Sequence, residues 1–303
     1  MKLGIIGFPQ SGKTTLFNAL TRATQPPGIG TGKMGVHTAG VDGPDPRVDR
    51  LSAMFKPKKT IYAKVTYADI AGLEGSASKT GISGTLLNQL TTMDGFIQVV
   101  RCFEDDNVPH VAGSINPARD LASMDSELIL NDLISVERKL DRLAEERKKG
   151  GGRDKAAVER EQALFLKLQE ALTAEKPLRD VQVAPEDEAP LSSFGFLSRK
   201  PMLVVLNLSE GQAAPEIQYP HQHSQVVGLQ AKLEMDIAQL PPDEAEIFLA
   251  EYGIEEPSLN RMIRLSYDLL GLQSFFTVGP DECRAWTVRR GANAPEAAGE
   301  IHT

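Results

Sequence analysis

The sequence predicts an α/β fold, interrupted by an inserted antiparallel helical hairpin and followed by the start of a small β module. Three observations carry that expectation. Apolar runs at Leu3–Ile6, Tyr62–Ala68 and Pro201–Leu206 have the length and composition of strands. A glycine-bearing loop joins the first run to a helical pattern at Leu16, Phe17, Ala19 and Leu20. A charged tract from Ser126 to Glu175 carries its apolar residues at helical spacing.

At 303 residues the chain is longer than one core usually serves, so a large domain with smaller attachments is expected. Its 41% hydrophobic and 24% charged content argues for a soluble globular protein. The 33 basic and 41 acidic side chains give a formal charge of -8, so nucleic-acid contact would need a local basic patch. Cys102 and Cys283 lie far apart without metal-ligand spacing, which speaks against a disulfide framework or zinc and for a reducing compartment. The apolar start is too short for a signal peptide and no stretch approaches ~18 apolar residues, so the expected location is cytoplasmic, with no membrane span. A monomer is expected, and no internal repeat is visible.

The first strand delivers Gly7-Phe8-Pro9-Gln10-Ser11-Gly12-Lys13-Thr14, a G-x-x-x-x-G-K-[ST] loop at a strand-to-helix joint. Phosphate binding requires these residue types. Gly7 and Gly12 let loop amides converge on phosphate oxygens, the backbone from Gln10 through Ser11 to Thr15 contributes, and the helix beginning near Lys13 adds its positive end. Lys13 neutralises the β and γ phosphates, and Thr14 offers a hydroxyl to Mg²⁺. The ordinary alternative, a glycine turn with an incidental lysine, leaves the flanking strand and helix without a purpose.

The next strand ends in Asp69-Ile70-Ala71-Gly72. Alone, D-x-x-G marks a plain turn. One strand after a phosphate loop, it supplies a carboxylate for the magnesium shell, Asp69, and an amide for the γ-phosphate, Gly72.

Longer words point to a family. Asp69-Ile70-Ala71-Gly72-Leu73, Gly75-Ser76-Ala77-Ser78-Lys79, Val99-Val100-Arg101-Cys102-Phe103-Glu104, His110-Val111-Ala112-Gly113, Asn207-Leu208-Ser209-Glu210, Gly253-Ile254-Glu255-Glu256-Pro257, Arg284-Ala285-Trp286-Thr287 and Ile301-His302-Thr303 resemble the YchF-type Obg-like ATPases from end to end. The resemblance implies a TRAFAC-type P-loop switch with an inserted helical arm and a C-terminal TGS module. It also implies ATP hydrolysis in preference to GTP and a link to ribosomes and translation or stress control. Leu73 stands where many small GTPases carry a water-orienting glutamine, and an apolar side chain orients no water. The family's candidate is a histidine in a mobile loop, which matches His110; the alternative is an ordinary exposed loop histidine.

One segment departs from the family. Pro44-Asp45-Pro46-Arg47 is present, but the T-I-E-P threonine that should precede it is replaced, in an ungapped count, by Lys33. Thr31 and Thr38 are the remaining candidates for the metal. The surrounding glycines predict a mobile loop ordered by nucleotide.

Leu133, Val136, Leu140 and Leu143 form one helical stripe, and Val158, Gln162, Phe165, Leu168 and Leu172 a second, with Gly150-Gly151-Gly152 between them. The expected result is an antiparallel hairpin with a coiled-coil-like seam. Its tip carries Arg147, Lys148, Lys149, Arg153 and Lys155, candidates for RNA phosphates or a merely solvated end, since no aromatic residue accompanies them. An acidic, proline-bearing linker over 184–190 follows.

The strand ending in Val204-Val205-Leu206 opens into Asn207-Leu208-Ser209-Glu210, where GTPases read N-K-x-D. Glu210, a methylene longer than the guanine-reading aspartate, removes the main source of guanine specificity. Asn207 is expected to contact a purine N7 or secure the loop, Leu208 to pack on the base, and Gln230-Ala231-Lys232 to form the other base-side loop. Leu259–Leu272 reads as a core helix. Phe275–Val278 and Cys283–Val288 resemble the opening hairpin of a TGS module, which so short a stretch cannot complete.

The expected organisation is a discontinuous nucleotide domain over 1–124 and 198–274, an arm with linker over 125–197, and an incomplete TGS-like module over 275–303. The leading reading is a Mg²⁺-dependent ATPase switch associated with the ribosome or ribosomal RNA. A nucleotide-sensing scaffold with negligible hydrolysis and a GTP-binding protein are the alternatives. A P-loop small-molecule kinase is disfavoured by D-x-x-G and the arm.

Overall fold

The structure, a computed structural model, describes residues 1–25, 36–71, 73, 82, 84–149, 153–251 and 257–302. Its strands run in chain order as β1 (Lys2–Ile6), β2 (Val36–Asp42), β3 (Lys59–Ile61), β4 (Lys64–Ile70), β5 (Gly95–Arg101), β6 (Met202–Asn207), β7 (Ser224–Leu229), β8 (Leu272–Val278) and β9 (Glu282–Arg289). The helices are α1 (Lys13–Thr21), α2 (Pro46–Phe55), α3 (Gly84–Thr91), α4 (Pro117–Lys149), α5 (Lys155–Thr173), α6 (Pro185–Ser192), α7 (Ala231–Ala238), α8 (Pro242–Glu251), α9 (Ser258–Leu269) and α10 (Ala294–Ile301). No helix among the described residues is long and apolar enough to cross a membrane.

The main sheet is ordered β2-β4-β1-β5-β6-β7, parallel except for the antiparallel edge strand β2. β5 and β6 are buried at every residue, which is why they read as unbroken apolar runs: helices cover both faces. One face packs Ile6, Ile70, Leu90, Phe96 and Val204; the other packs Ile5, Leu16, Phe17, Tyr67 and Leu203. Parallel pairing sets Ile5 opposite Asp69, so the loop after β1 and the end of β4 emerge side by side at the carboxyl edge of the sheet, where ligands of such folds bind.

α4 is 33 residues long, about 50 Å at 1.5 Å per residue. Its root, Leu121, Met124 and Leu128, is part of the main core. Beyond it, Ile129 and Val136 join Phe165, Leu168 and Leu172 of α5 in a separate arm core. The helix therefore starts before the charged tract, and a boundary at 125 falls within continuous helix. The expected linker over 184–190 is also largely helical: Pro185 at the first turn of α6 forfeits no hydrogen bond, acidic residues complement the dipole there, and Leu191 anchors the helix in the arm core.

At the C-terminal end, α9 stops at Leu269, Gly271 turns the chain at φ 61, and β8 starts three residues earlier than expected from Phe275. The β8–β9 hairpin does not stand alone. β9 pairs in parallel with β3, and Cys283 and Ala285 pack on Val48 of α2 and on Ala63.

Asp132 ties α4 to the segment entering β6, accepting from Leu197 N at 2.9 Å, Ser198 N at 2.7 Å and Ser198 Oγ at 2.6 Å. Burial outweighs these bonds and pushes the carboxyl up to about 6 from its ordinary 3.8. The folded state thus holds the proton more tightly than the unfolded one. Its contribution is complete below pH ~4 and lost as pH rises to about 6. Urea unfolding of wild type and Asp132→Asn between pH 4 and 7 should show wild type losing stability relative to the variant as pH rises; a constant difference refutes the shift.

Candidate nucleotide site

The loop between β1 and α1 has a shape that only its glycines permit. A Cβ on Gly7, at φ 149, would lie 2.5 Å from the Val99 carbonyl oxygen, and one on Gly12, at φ 96, would lie 2.2 Å from Asn207 Nδ2. Gln10 is held at φ 62 and Ser11 is buried, while Thr15 sits in the first turn of α1. Gly12 occupies the N-cap with no side-chain cap, so the first amides of α1 keep their donors for an anion.

Lys13 Nζ donates to the Phe8 carbonyl at 2.8 Å. Burial lowers its pKa to about 8, with Asp69 opposing the shift. Thr14 Oγ1 donates to Asp69 Oδ2 at 2.8 Å, and Asp69 Oδ1 is buried with no hydrogen-bond partner. A buried carboxylate oxygen left unpaired beside a hydroxyl is costly unless a cation or its water takes it up. Phosphate donors, an ammonium and this hydroxyl–carboxylate pair together suit a magnesium–polyphosphate group.

Of the other metal candidates, the described one, Thr38, is not at this pair. β2 pairs His37 with Asp69 and Thr38 with Ala68, and alternation along the strand puts Thr38 on the face opposite Asp69. Thr31 and Gly72 lie outside the described residues. Leu73 is 3% exposed within the main core, so it is an anchor and not a water ligand.

At the base-side loop, Asn207 secures the architecture. It is buried, its Nδ2 donates to the Ser11 carbonyl at 3.0 Å, and its Oδ1 accepts from Ala231 N at 3.1 Å. Ala231 is itself buried at the start of α7. Leu208 packs into the main core. Glu210 is exposed at the turn beyond it, and Gln212 braces that turn through Ser209 N at 2.8 Å and the Cys102 carbonyl at 2.9 Å.

His110 has a nearly buried side chain in this structure. Its side chain is 6% exposed, Nε2 lies 2.9 Å from Asp120 Oδ2, and Nδ1 accepts from Ala112 N at 3.1 Å. It lines a cavity of ≈ 10 Å³ with Phe8, Ser11, Gln98, Arg101 and Asp120. Sequence reasoning does not single out Arg101 or Asp120. The signal for Arg101 is a charge at the end of an apolar strand, and for Asp120 an acid in a first helical turn introduced by Asn116-Pro117. At the arm tip, Arg153 pairs with Glu161 at 2.6 Å and Glu146 at 3.5 Å, and Lys148 with Glu145 at 3.3 Å. Arg147 and Lys155 are exposed, and Lys149 closes α4.

Residues 2–139 match a family model described as a 50S ribosome-binding GTPase, and residues 272–303 match the YchF GTPase C-terminal model, described as a protein of unknown function. Over 100% of this chain and 85% of the relative, the sequence is 40% identical to the ribosome-binding ATPase YchF of Escherichia coli O157:H7. It is 37% identical to the protein of that name in Bacillus subtilis, over 99% of this chain and 84% of the relative. It is 32% identical to Obg-like ATPase 1 of Oryza sativa subsp. indica, over 100% and 79%. The solved structure of the Schizosaccharomyces pombe YchF GTPase superposes with a TM-score of 0.79 at 29% identity, covering 100% of this chain and 84% of that one. With a phosphate loop, a D-x-x-G carboxylate and end-to-end similarity of this extent, the chain belongs to the YchF family.

Proposed function

We propose that this chain is a Mg²⁺-dependent ATP-hydrolysing switch that acts on the ribosome, as a cytoplasmic monomer. The observation that carries the reading is the Thr14–Asp69 pair with its unpaired Oδ1, set beside the buried Lys13 ammonium. Thr14 and Asp69 would hold the ion, whose part is to neutralise charge between phosphate oxygens. Lys13 holds the β and γ phosphates, and the amides from Gln10 to Thr15 orient them. His110 is the candidate for positioning the attacking water, since Leu73 has no polar atom to offer it. ATP is favoured over GTP because Glu210, exposed, replaces the aspartate that reads guanine. The relatives named ribosome-binding ATPases support the partner. Arg147 and Lys155 are proposed to meet ribosomal RNA phosphates, with Lys148, Lys149 and Arg153 beside them.

Calorimetric titration with MgATP and MgGTP should give the tighter constant for ATP; tighter GTP binding overturns the purine assignment. Lys13→Ala should weaken MgATP binding about 10- to 100-fold, the range for a hydrogen bond to a charged group. Lys13 must be protonated to hold phosphate, so affinity should also fall as pH rises above about 8 in the wild type and lose that dependence in Lys13→Ala. Co-sedimentation with ribosomes across a salt series should show Arg147→Glu/Lys155→Glu binding with a slope shallower by about 1–2 log units per log unit of salt, one for each phosphate no longer neutralised. An unchanged slope places the RNA-binding surface elsewhere.

A further inference from the structure

We infer that Asp120 is a positioning residue that stores His110 away from the nucleotide, and that Arg119 sets how tightly it is stored. This rests on the reading of His110 as the water-positioning group. In the observed pose the imidazole cannot serve that role. Nδ1 accepts the Ala112 amide, so in the neutral ring the proton sits on Nε2, and Nε2 is spent on Asp120. Both nitrogens are occupied, and both side chains are nearly buried, at 6% and 7% exposure.

The carboxylate is divided between two partners. Oδ2 takes His110, while Oδ1 takes Arg119 Nε at 2.9 Å and Nη2 at 2.8 Å. The same guanidinium holds Ser114, through its carbonyl at 2.7 Å and its Oγ at 3.2 Å, bracing the loop that carries His110. Arg119 thus shares the carboxylate with His110 and draws density from it, so the bond to His110 is held below the strength it would have alone.

Two features let the imidazole leave. The cavity it lines is bounded by Ser11, Gln98 and Arg101, whose Oγ, Oε1 and Nη1 are buried without hydrogen-bond partners, and has room for about one water. The pocket is therefore not a close-packed seat, and water can replace the ring. Gly113, at φ 75, has nothing within 4 Å of where its Cβ would stand, so the His110–Gly113 turn, closed by Gly113 N on the His110 carbonyl at 2.9 Å, has space beside it into which it can open once its bonds are broken. Because Ser11 belongs to the phosphate loop, the store and the phosphate site share one wall.

The test is single-turnover hydrolysis of MgATP by the full chain and four variants, with thermal melts confirming that each folds. Asp120→Asn replaces a charge-assisted bond by a neutral one and should speed hydrolysis about five- to tenfold. Arg119→Ala leaves His110 as the main partner of the carboxylate and should slow it; a faster rate would show that its hold on Ser114, not its share of Asp120, governs the store, and would overturn the role given to Arg119. His110→Ala should slow it further, and Asp120→Asn/His110→Ala should lose the gain entirely, which a merely structural effect of Asp120 would not do. If Asp120→Asn slows the reaction toward the His110→Ala rate, Asp120 orients the working imidazole and storage is overturned. Ring-nitrogen NMR of His110 supplies a readout independent of turnover. Wild type should show the Nε2-protonated tautomer and Asp120→Asn an averaged ring; identical spectra overturn the proposal. If His110→Ala hydrolyses at the wild-type rate while the ring spectra change as expected, the catalytic reading of His110 fails and the Asp120 bond stands.

Discussion

One close approach organises the molecule: the Asn207 side chain against the phosphate loop. From the end of β6 its amide reaches the Ser11 carbonyl on one side and the first amide of α7 on the other. The space it fills is the space a Gly12 Cβ would need. Glycine is thus demanded twice at that position, by the approach of phosphate and by the sheet itself. A buried amide stripped of either partner would cost about 1–3 kcal/mol, so the loop, β6 and α7 keep their relation as a unit. Gln10 at φ 62 and the uncapped start of α1 are held within that frame.

A second constraint is the continuity of α4 through two cores. Its root is fastened by buried polar groups as well as by packing. Arg179 Nη2 meets Asp125 Oδ1 at 2.8 Å and also Tyr219, which itself donates to Asp125, while Asp132 gathers the Leu197 and Ser198 amides. Such networks add little net stability compared with apolar packing, but they admit one register. The arm core, with Phe194 stacked on Phe196 at 5.3 Å and Phe165 tilted against both, then continues the same helix outward.

Much of the architecture is legible in the chain, for identifiable reasons. The strand–loop–helix around Lys13 is local and its spacing is imposed by phosphate, so β1, α1 and Asp69 read directly from the residues. The stripes Leu133–Leu143 and Val158–Leu172 repeat often enough to set the hairpin. What cannot be read depends on residues far apart in sequence. α6 looks like a linker because its helix rests on Leu191 reaching the arm core, not on periodicity. β3 has only 3 residues and exists because β9, more than two hundred positions later, pairs with it. His110 reads as a loop residue because nothing adjacent to it reveals that Asp120, ten positions on, takes its ring out of solvent. Asn207 carries two possible roles in the sequence, and only the positions of Ser11 and Ala231 reveal how it secures the loop.

Asp120 lies in the first turn of α4, the end of the helix nearest the phosphate loop, and the basic tip lies about 40 Å away at the other. The helix is therefore a lever whose fulcrum is the buried root around Met124 and Leu128. A tilt of about 5° there would carry the tip through roughly 3 Å, enough to make or break a row of hydrogen bonds. An adjustment of less than an ångström where Asp120 meets His110 is thereby multiplied into a displacement that a large, rigid binding partner can register.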